Sequence, residues 1–261
     1  MYTKKNIHTE LIRLGLRKGD IIICSTSFGM LGMPKFKVKD VDDISNTFFN
    51  ILINIIGNTG TIFTPTYSYS FKSSNSKEKN IFNINLTKSK VGPFGEYIRK
   101  KQKSIRSIDP MVSIVGFGPD ANILENQKHT SYGKGCVFEN FLKIKKIKIL
   151  NIGVGPNFLP FIHYVDFLNK CNHRYDKYFN GYIIKNNKKM LVKWHYPVPY
   201  LRKEAISDGH KIANHAMNKI IYQTKLGNGK IYISSYGKLF NYSLKLSKLD
   251  PWITAVGPKF R

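Results

Sequence analysis

The chain has 261 residues, 42% hydrophobic and 13% aromatic, and 42 Lys and Arg against 16 Asp and Glu give it a net charge of +26. That length holds one large domain or two small ones around a buried core, and two Trp, 15 Tyr and 17 Phe exclude a disordered chain. The longest apolar stretch, Phe48–Ile56, is interrupted by Asn50 and Asn54 and falls short of the roughly 18 apolar residues of a membrane span.

The N-terminal MYTKKNIHTE has no apolar h-region, so no secretory signal is expected. Cys24, Cys136 and Cys171 are odd in number and lack CxxC spacing. They point away from a disulfide framework or zinc ribbon and toward a reducing, cytoplasmic setting. A field of this sign attracts anions and repels cations. Nucleic acid, an anionic membrane surface, CoA and nucleotide-sugars all fit it.

In chain order, Ile7–Leu16 places Ile7, Leu11, Ile12 and Leu14 at helical spacing before Gly15. Asp20–Ser25 is a continuous β-branched run, as in a buried strand. Val41–Ile56 repeats its apolar positions at helical period and stops at Gly57, and Thr61–Thr66 is again strand-like. Strand, helix and strand in succession predict a parallel α/β sheet. Phe71–Asn80 is polar and reads as a mobile surface loop. Ser113–Phe117 and Lys146–Ile152 read as buried strands with a short helix, Phe138–Leu142, between them, and Asn157–Cys171 reads as a helix. Between Arg174 and Tyr200 the pattern alternates around Asn-Asn-Lys-Lys, the mark of a β-hairpin. The expectation is one domain over 1–261, with a smaller subdomain around 174–245.

Several chemistries are absent as motifs. There is no GxxxxGK[ST], HExxH, paired-Cys site or G-x-S-x-G elbow, and the seven His are scattered. No metal is expected. Gly153-Val-Gly155 follows a strand but lacks the third glycine of a dinucleotide loop.

Three stretches carry candidate chemistry. The first is CSTSFGMLG from Cys24 to Gly32, at the carboxyl end of the first strand, where open parallel sheets bind ligands. Its hydroxyls and glycines suit close approach to phosphate or carbonyl oxygens, and fit an ordinary strand-to-loop turn equally well. In the second, IRSIDP, Arg106 and Ser107 can hold an anion, although a structural loop explains the same residues. In the third, His163 and Asp166 share a helix face at i,i+3. A carboxylate beside an imidazole makes a general base, and the same spacing also arises on plain surface helices.

Together these stretches resemble the aminoglycoside 3-N-acetyltransferase family. IIICSTSFGMLG and GNTGTIFTPTYS resemble its strand–Ser–loop–Gly pattern and its GT…PT strand. GPFGEYIRKKQKSIRSIDPMVSIVGFGPDA, YGKGCVFENF, LNIGVGPNFLPFIHYVDF, HRYDKYFNG and LDPWI follow in the family's order, so the resemblance spans roughly residues 5–255. It implies an α/β fold distinct from the GNAT acetyltransferases, with a mostly parallel central sheet flanked by helices and an inserted β-hairpin region. It implies acyl-CoA as cosubstrate and an amine as acceptor. It makes His163 the base and Asp166, in place of the family's Glu, its orienting partner. Ser25, Thr26, Ser27 and Gly29 would line the CoA cleft and offer backbone donors to the oxyanion, with Arg106 and Ser107 at the family's RS. Asp109 stands where the family usually has His, and Cys136 where it has Ser.

Aminoglycosides are polycations, and 16 acidic residues in 261 suit them poorly. The basic field suits acyl-CoA and an anionic acceptor. The expected function is therefore acyl transfer to a nucleotide-linked, dTDP-type amino-deoxyhexose for surface polysaccharide. The alternative is an aminoglycoside 3-N-acetyltransferase conferring resistance. A nucleic-acid-binding protein is more remote, because Lys is spread through the chain without a recognised motif, and no nucleic acid is expected as partner. A homodimer is expected only from the frequency of such assemblies.

Overall fold

A computed structural model describes residues 1–73 and 76–258. Helix α1 (Lys4–Arg13) starts from a reciprocal cap: the Thr3 hydroxyl accepts from the Asn6 N–H and the Asn6 side chain accepts from the Thr3 N–H. Strand β1 (Ile21–Thr26) leads to helix α2 (Val41–Ile56), and the Asp40 carboxylate caps α2 by accepting from the Asp42 and Asp43 N–H groups at 2.9 Å each. A cap of this kind contributes about 1 kcal/mol. Strand β2 (Thr61–Pro65) follows, then β3 (Ile81–Asn83), helix α3 (Pro93–Arg99), β4 (Ile105–Arg106), β5 (Ile114–Phe117), α4 (Val137–Phe141), β6 (Ile147–Ile152) and α5 (Ile162–Leu168). The remainder is β7 (Arg174–Lys185), β8 (Lys188–Pro199), α6 (His210–Ala216), β9 (Ile221–Leu226), β10 (Gly229–Ser235) and α7 (Tyr236–Leu249).

The main sheet has seven strands in the order β4-β5-β2-β1-β6-β10-β9. β1 lies at its centre, parallel to β2 (Ile21 beside Thr61) and to β6 (Ile21 beside Ile147). The α/β fold is as expected, and the parallel part is these three strands, with antiparallel strands added at both sides. Strand alternation divides the core in two. Ile22 and Cys24 enter a cluster with Ile7, Leu11, Phe48 and Phe94 under α1, α2 and α3. Ile23 and Phe63 face the other way, into a cluster with Phe141, Phe161, Tyr236 and Trp194.

β7 and β8 form the expected hairpin, with β3 parallel to β7 in a second, three-stranded sheet. Asn186 (φ +50°) and Asn187 (φ +61°) make its two-residue turn in the left-handed region, which Asn tolerates and the strand twist requires. The following strands β9 and β10 rejoin the main sheet.

Two sequence expectations change. Helix α5 is seven residues and not the expected Asn157–Cys171, because Pro160 lacks an N–H and biases its predecessor away from helical geometry. The Phe71–Asn80 stretch is anchored at both ends: Phe71 and Asn80 are fully buried and the Asn80 amide donates to the Asn180 carbonyl at 2.9 Å. Its positions 74 and 75 lie outside the described residues. Among the described residues no helix is long and apolar enough to cross a membrane.

Candidate active site

The carboxyl ends of the three parallel strands open on one edge of the sheet, and a small cavity of about 140 Å³ lies there. Ser25 and Thr26 from β1, Thr64 and Pro65 from β2, and Val154 and Phe158 beyond β6 line it. Gly95 of α3 crosses so close that a Cβ there would overlap the Pro65 carbonyl. Ser27 and Gly29 stand in the next turn, outside this lining. The Ser27 N–H is not free for an oxyanion, since it donates to the Ile152 carbonyl at 2.9 Å.

Arg106 and Ser107 stand behind the cleft walls. The Arg106 guanidinium is 7% exposed and donates to the Thr66, Ile84 and Thr87 carbonyls and the Ser113 hydroxyl. Burial among neutral acceptors pulls its pKa down to about 9. Ser107 is wholly buried and accepts from the Ile114 N–H at 3.1 Å. These bonds tie the edge strands to the Thr66 segment, and neither side chain belongs to the lining of the small cavity. Asp109 is equally enclosed: it accepts from the Met111 and Val112 N–H groups, the Ser131 hydroxyl and the Gln127 amide, and so fixes the turn at Pro110.

His163 lines a second cleft, of about 340 Å³, which shares Phe158 with the small cavity. Behind His163, α5 meets β7 in a buried charge cluster. Arg174 donates from Nε to Asp166 Oδ2 at 2.8 Å, from Nη1 to the Pro197 carbonyl at 3.0 Å, and from Nη2 to the Ser207 hydroxyl at 2.6 Å. Nη2 also lies 2.6 Å from His163 Nδ1. Asp166 Oδ2 is 3.8 Å from that nitrogen, beyond hydrogen-bond reach. The expected His163–Asp166 contact is thus spanned by Arg174, which fits because an Asp side chain is one methylene shorter than a Glu. Asp166 Oδ1 accepts from the Thr254 hydroxyl, with His173 Nε2 at 3.5 Å.

The electrostatics follow. Burial works to raise the Asp166 carboxyl, but its contacts with His163, His173 and Arg174 outweigh that and hold it well below the usual carboxylate range. Burial first, and the Arg174 charge second, push His163 down to about 4, against the opposing pull of Asp166. The imidazole is therefore neutral at physiological pH, as a base must be. A guanidinium only donates, so His163 Nδ1 accepts and the ring hydrogen resides on Nε2.

Asp166, Cys171 and His173 bring their ligand atoms within 4.8 Å of one another. Both Asp166 oxygens are already taken by Arg174 and Thr254, and the guanidinium supplies the positive charge a cation would bring. A further cavity of about 490 Å³ lies on this side, lined by Asp166, Cys171, Arg174 and Asp176 among others.

Aromatic rings build the rest of the His163 cleft. Tyr132 packs edge-on against His163 at 4.7 Å between centroids and against Tyr196 of β8 at 5.5 Å. Tyr67 and Tyr69, just past β2, complete this wall. Among the described residues the lining has one carboxylate, Asp208, whose Oδ1 is 2.7 Å from His210 Nδ1. Sequence reasoning missed Arg174, although it lies in HRYDKYFNG, and missed Thr254 and the tyrosines, which carry no local signal.

A sequence profile described as aminoglycoside 3-N-acetyltransferase matches residues 36–247. The chain belongs to the aminoglycoside 3-N-acetyltransferase family. The family consists of CoA-dependent N-acetyltransferases, with acetyl-CoA as their cosubstrate. Solved structures of this class share the fold. Sisomicin-bound AAC-VIa superposes with a TM-score of 0.79 at 19% identity, covering 95% of this chain and 98% of that one. AAC-IIIb in its binary complex with CoASH gives 0.77 at 16% identity, covering 95% and 97%. YokD from Bacillus subtilis gives 0.77 at 18% identity, covering 96% and 94%. Comparison with curated protein sequences gives no match. The aminoglycoside 3-N-acetyltransferase fold places β1, β2, β6 and α5 around one edge, which is where both the small cavity and His163 lie.

Proposed function

We propose that this enzyme transfers an acyl group from acyl-CoA to the amine of an amino sugar, with His163 as base. A neutral, half-buried imidazole at a cleft that abuts a second cavity at the strand ends carries this reading. The acyl-CoA thiol end would enter between Ser25, Thr26 and Pro65, and the acceptor would occupy the His163 cleft. An ammonium has no lone pair, so it must first lose a proton to His163. The freed amine attacks the thioester carbon; as the tetrahedral oxyanion collapses the C–S bond breaks, the departing CoA thiolate takes the imidazolium proton, and the second proton on the nitrogen passes to the freed imidazole and on to solvent, leaving a neutral amide. To accept on Nε2, His163 must first take the other tautomer, in which Nδ1 leaves Arg174 Nη2 and its N–H donates a hydrogen bond to Asp166, a closing of roughly 1 Å from the 3.8 Å separation.

The acceptor we favour is a nucleotide-linked, dTDP-type amino-deoxyhexose used for surface polysaccharide. A lone carboxylate in the cleft lining and the net charge of +26 both disfavour a polycation. The likeness to sisomicin-bound AAC-VIa favours the second reading, an aminoglycoside acceptor and antibiotic resistance. The proposal extends to a cytoplasmic homodimer with a single acyltransferase domain over 1–261 and a smaller subdomain around 174–245. The three cysteines are all free thiols, as that compartment favours.

Thiol release from a panel of acyl-CoA donors, run against nucleotide amino sugars and aminoglycosides, tests the acceptor. Turnover of nucleotide amino sugars is expected; turnover of aminoglycosides alone would overturn that choice. His163→Ala should lower kcat by about 10²–10⁴ and leave acyl-CoA affinity unchanged. A variant retaining most of its rate would remove His163 from the role of base.

A further inference from the structure

Tyr67, in the wall of the His163 cleft, has a buried side-chain hydroxyl with an unmet bond. It belongs to the cleft lining yet is only 4% exposed. Its hydroxyl is screened from solvent and has no hydrogen-bond partner among the described residues. Buried hydroxyls are nearly always paired, so an unpaired one in a cleft wall calls for a ligand.

The backbone beneath this ring is fixed, so its hydroxyl meets an acceptor in the cleft by a small turn of the side chain alone. The Tyr67 carbonyl accepts from the Lys90 N–H at 2.7 Å, and the Ser68 and Tyr69 N–H groups both donate to the Met111 carbonyl, at 3.2 and 3.1 Å. Ser68 Oγ donates to the Pro110 carbonyl at 2.9 Å. Tyr69 is held at φ +48°, a left-handed conformation rare for an aromatic residue, at the same wall. Burial raises the Tyr67 pKa well above its ordinary value, so the group stays protonated and can donate.

Which substrate meets it follows from position. The small cavity offers Ser25, Thr26 and Phe158 to the donor, whereas Tyr67 shares its cleft with the base. A base and the amine it deprotonates must be adjacent, so this cleft holds the acceptor. The edges and faces of Tyr67, Tyr69, Tyr132 and Tyr196 suit the C–H surface of a pyranose ring, and an uncharged donor suits a sugar hydroxyl.

We propose that Tyr67 is a specificity-determining residue, donating a hydrogen bond to a ring hydroxyl of the acceptor sugar. The inference rests on the amino-sugar reading given above. It predicts that the enzyme distinguishes acceptors by a single ring hydroxyl, since a pinned donor left unpaired penalises the deoxygenated analogue.

The test uses Tyr67→Phe in the full chain, with two nucleotide amino sugars that differ by one ring hydroxyl. Steady-state thiol release and calorimetric acceptor binding are both measured. For the hydroxylated acceptor, kcat/KM should fall roughly tenfold and binding should weaken in step. The deoxygenated acceptor and the KM for acyl-CoA should change less than about twofold. The thermal midpoint should stay level or rise, because only an unpaired hydroxyl is removed. Equal losses on both acceptors, or no loss on either, overturn the proposal. If the wild-type enzyme acylates only aminoglycosides, the amino-sugar reading falls. The same variant on an aminoglycoside pair differing by one ring hydroxyl then decides the role of Tyr67 separately.

Discussion

His163 and Arg174 sit 2.6 Å apart, and the charge of the second adds to burial in keeping the first neutral. His163 ordinarily titrates near 6.5 and is pushed to about 4 here, by burial and then by Arg174. The folded protein therefore binds fewer protons than the unfolded chain between those two values. His163 thus costs stability as pH falls through that window, and stability recovers as pH rises. Activity should share the limit: the acid limb of kcat/KM falls near pH 4. Arg174→Ala removes the repelling charge and leaves Asp166 to pair with the imidazole, so the limb should move up toward or beyond 6.5. A pH–rate profile of the two proteins reads this, and an unmoved limb would show that Arg174 does not set the charge on His163. Asp166 was legible at i,i+3 on one helix. Arg174, Thr254 and His173 were not recognisable as its partners, because β7 and the C-terminal segment bring them from 7 to 88 positions away.

Elements with a one-faced helical period or a continuous buried run are legible in the sequence. Helix α2 spans Val41–Ile56 as its periodicity predicts, and β1 shows four successive buried residues from Ile22 to Ser25. Helix α7 escaped notice because its buried face includes Ser243 and Ser247, which a polarity pattern places outside. Ser243 Oγ donates to the Leu239 carbonyl at 2.8 Å, which makes such burial tolerable. The β4 strand, two residues long, is too short for any period to register. The hairpin, by contrast, was carried by its turn. Asn187, at φ +61°, tests that account. Asn187→Val should destabilise the protein by about 1–2 kcal/mol, read as a lower thermal or denaturant midpoint, whereas Asn187→Gly should leave the midpoint level or raise it.

For the molecule as a whole, the sign of the field is the distinguishing property. Two acceptors of opposite charge should respond to salt in opposite ways. With an anionic nucleotide sugar, kcat/KM for the acceptor should fall as ionic strength rises from 10 mM to 150 mM, over which the screening length shrinks from about 30 Å to about 8 Å. With a polycationic acceptor it should rise. Saturating acyl-CoA keeps the donor's own salt dependence out of the measurement. The charge was plain from the sequence, but its local distribution was not. Only the fold shows that the walls beside His163 are tyrosines with one carboxylate, and not a row of acids.

Phe158 borders both the small cavity and the His163 cleft. With donor and acceptor on opposite sides of one ring, the amide and the free thiol would form at a shared threshold and depart through separate mouths. Neither product would have to wait for the other, and turnover would not depend on a compulsory order of release.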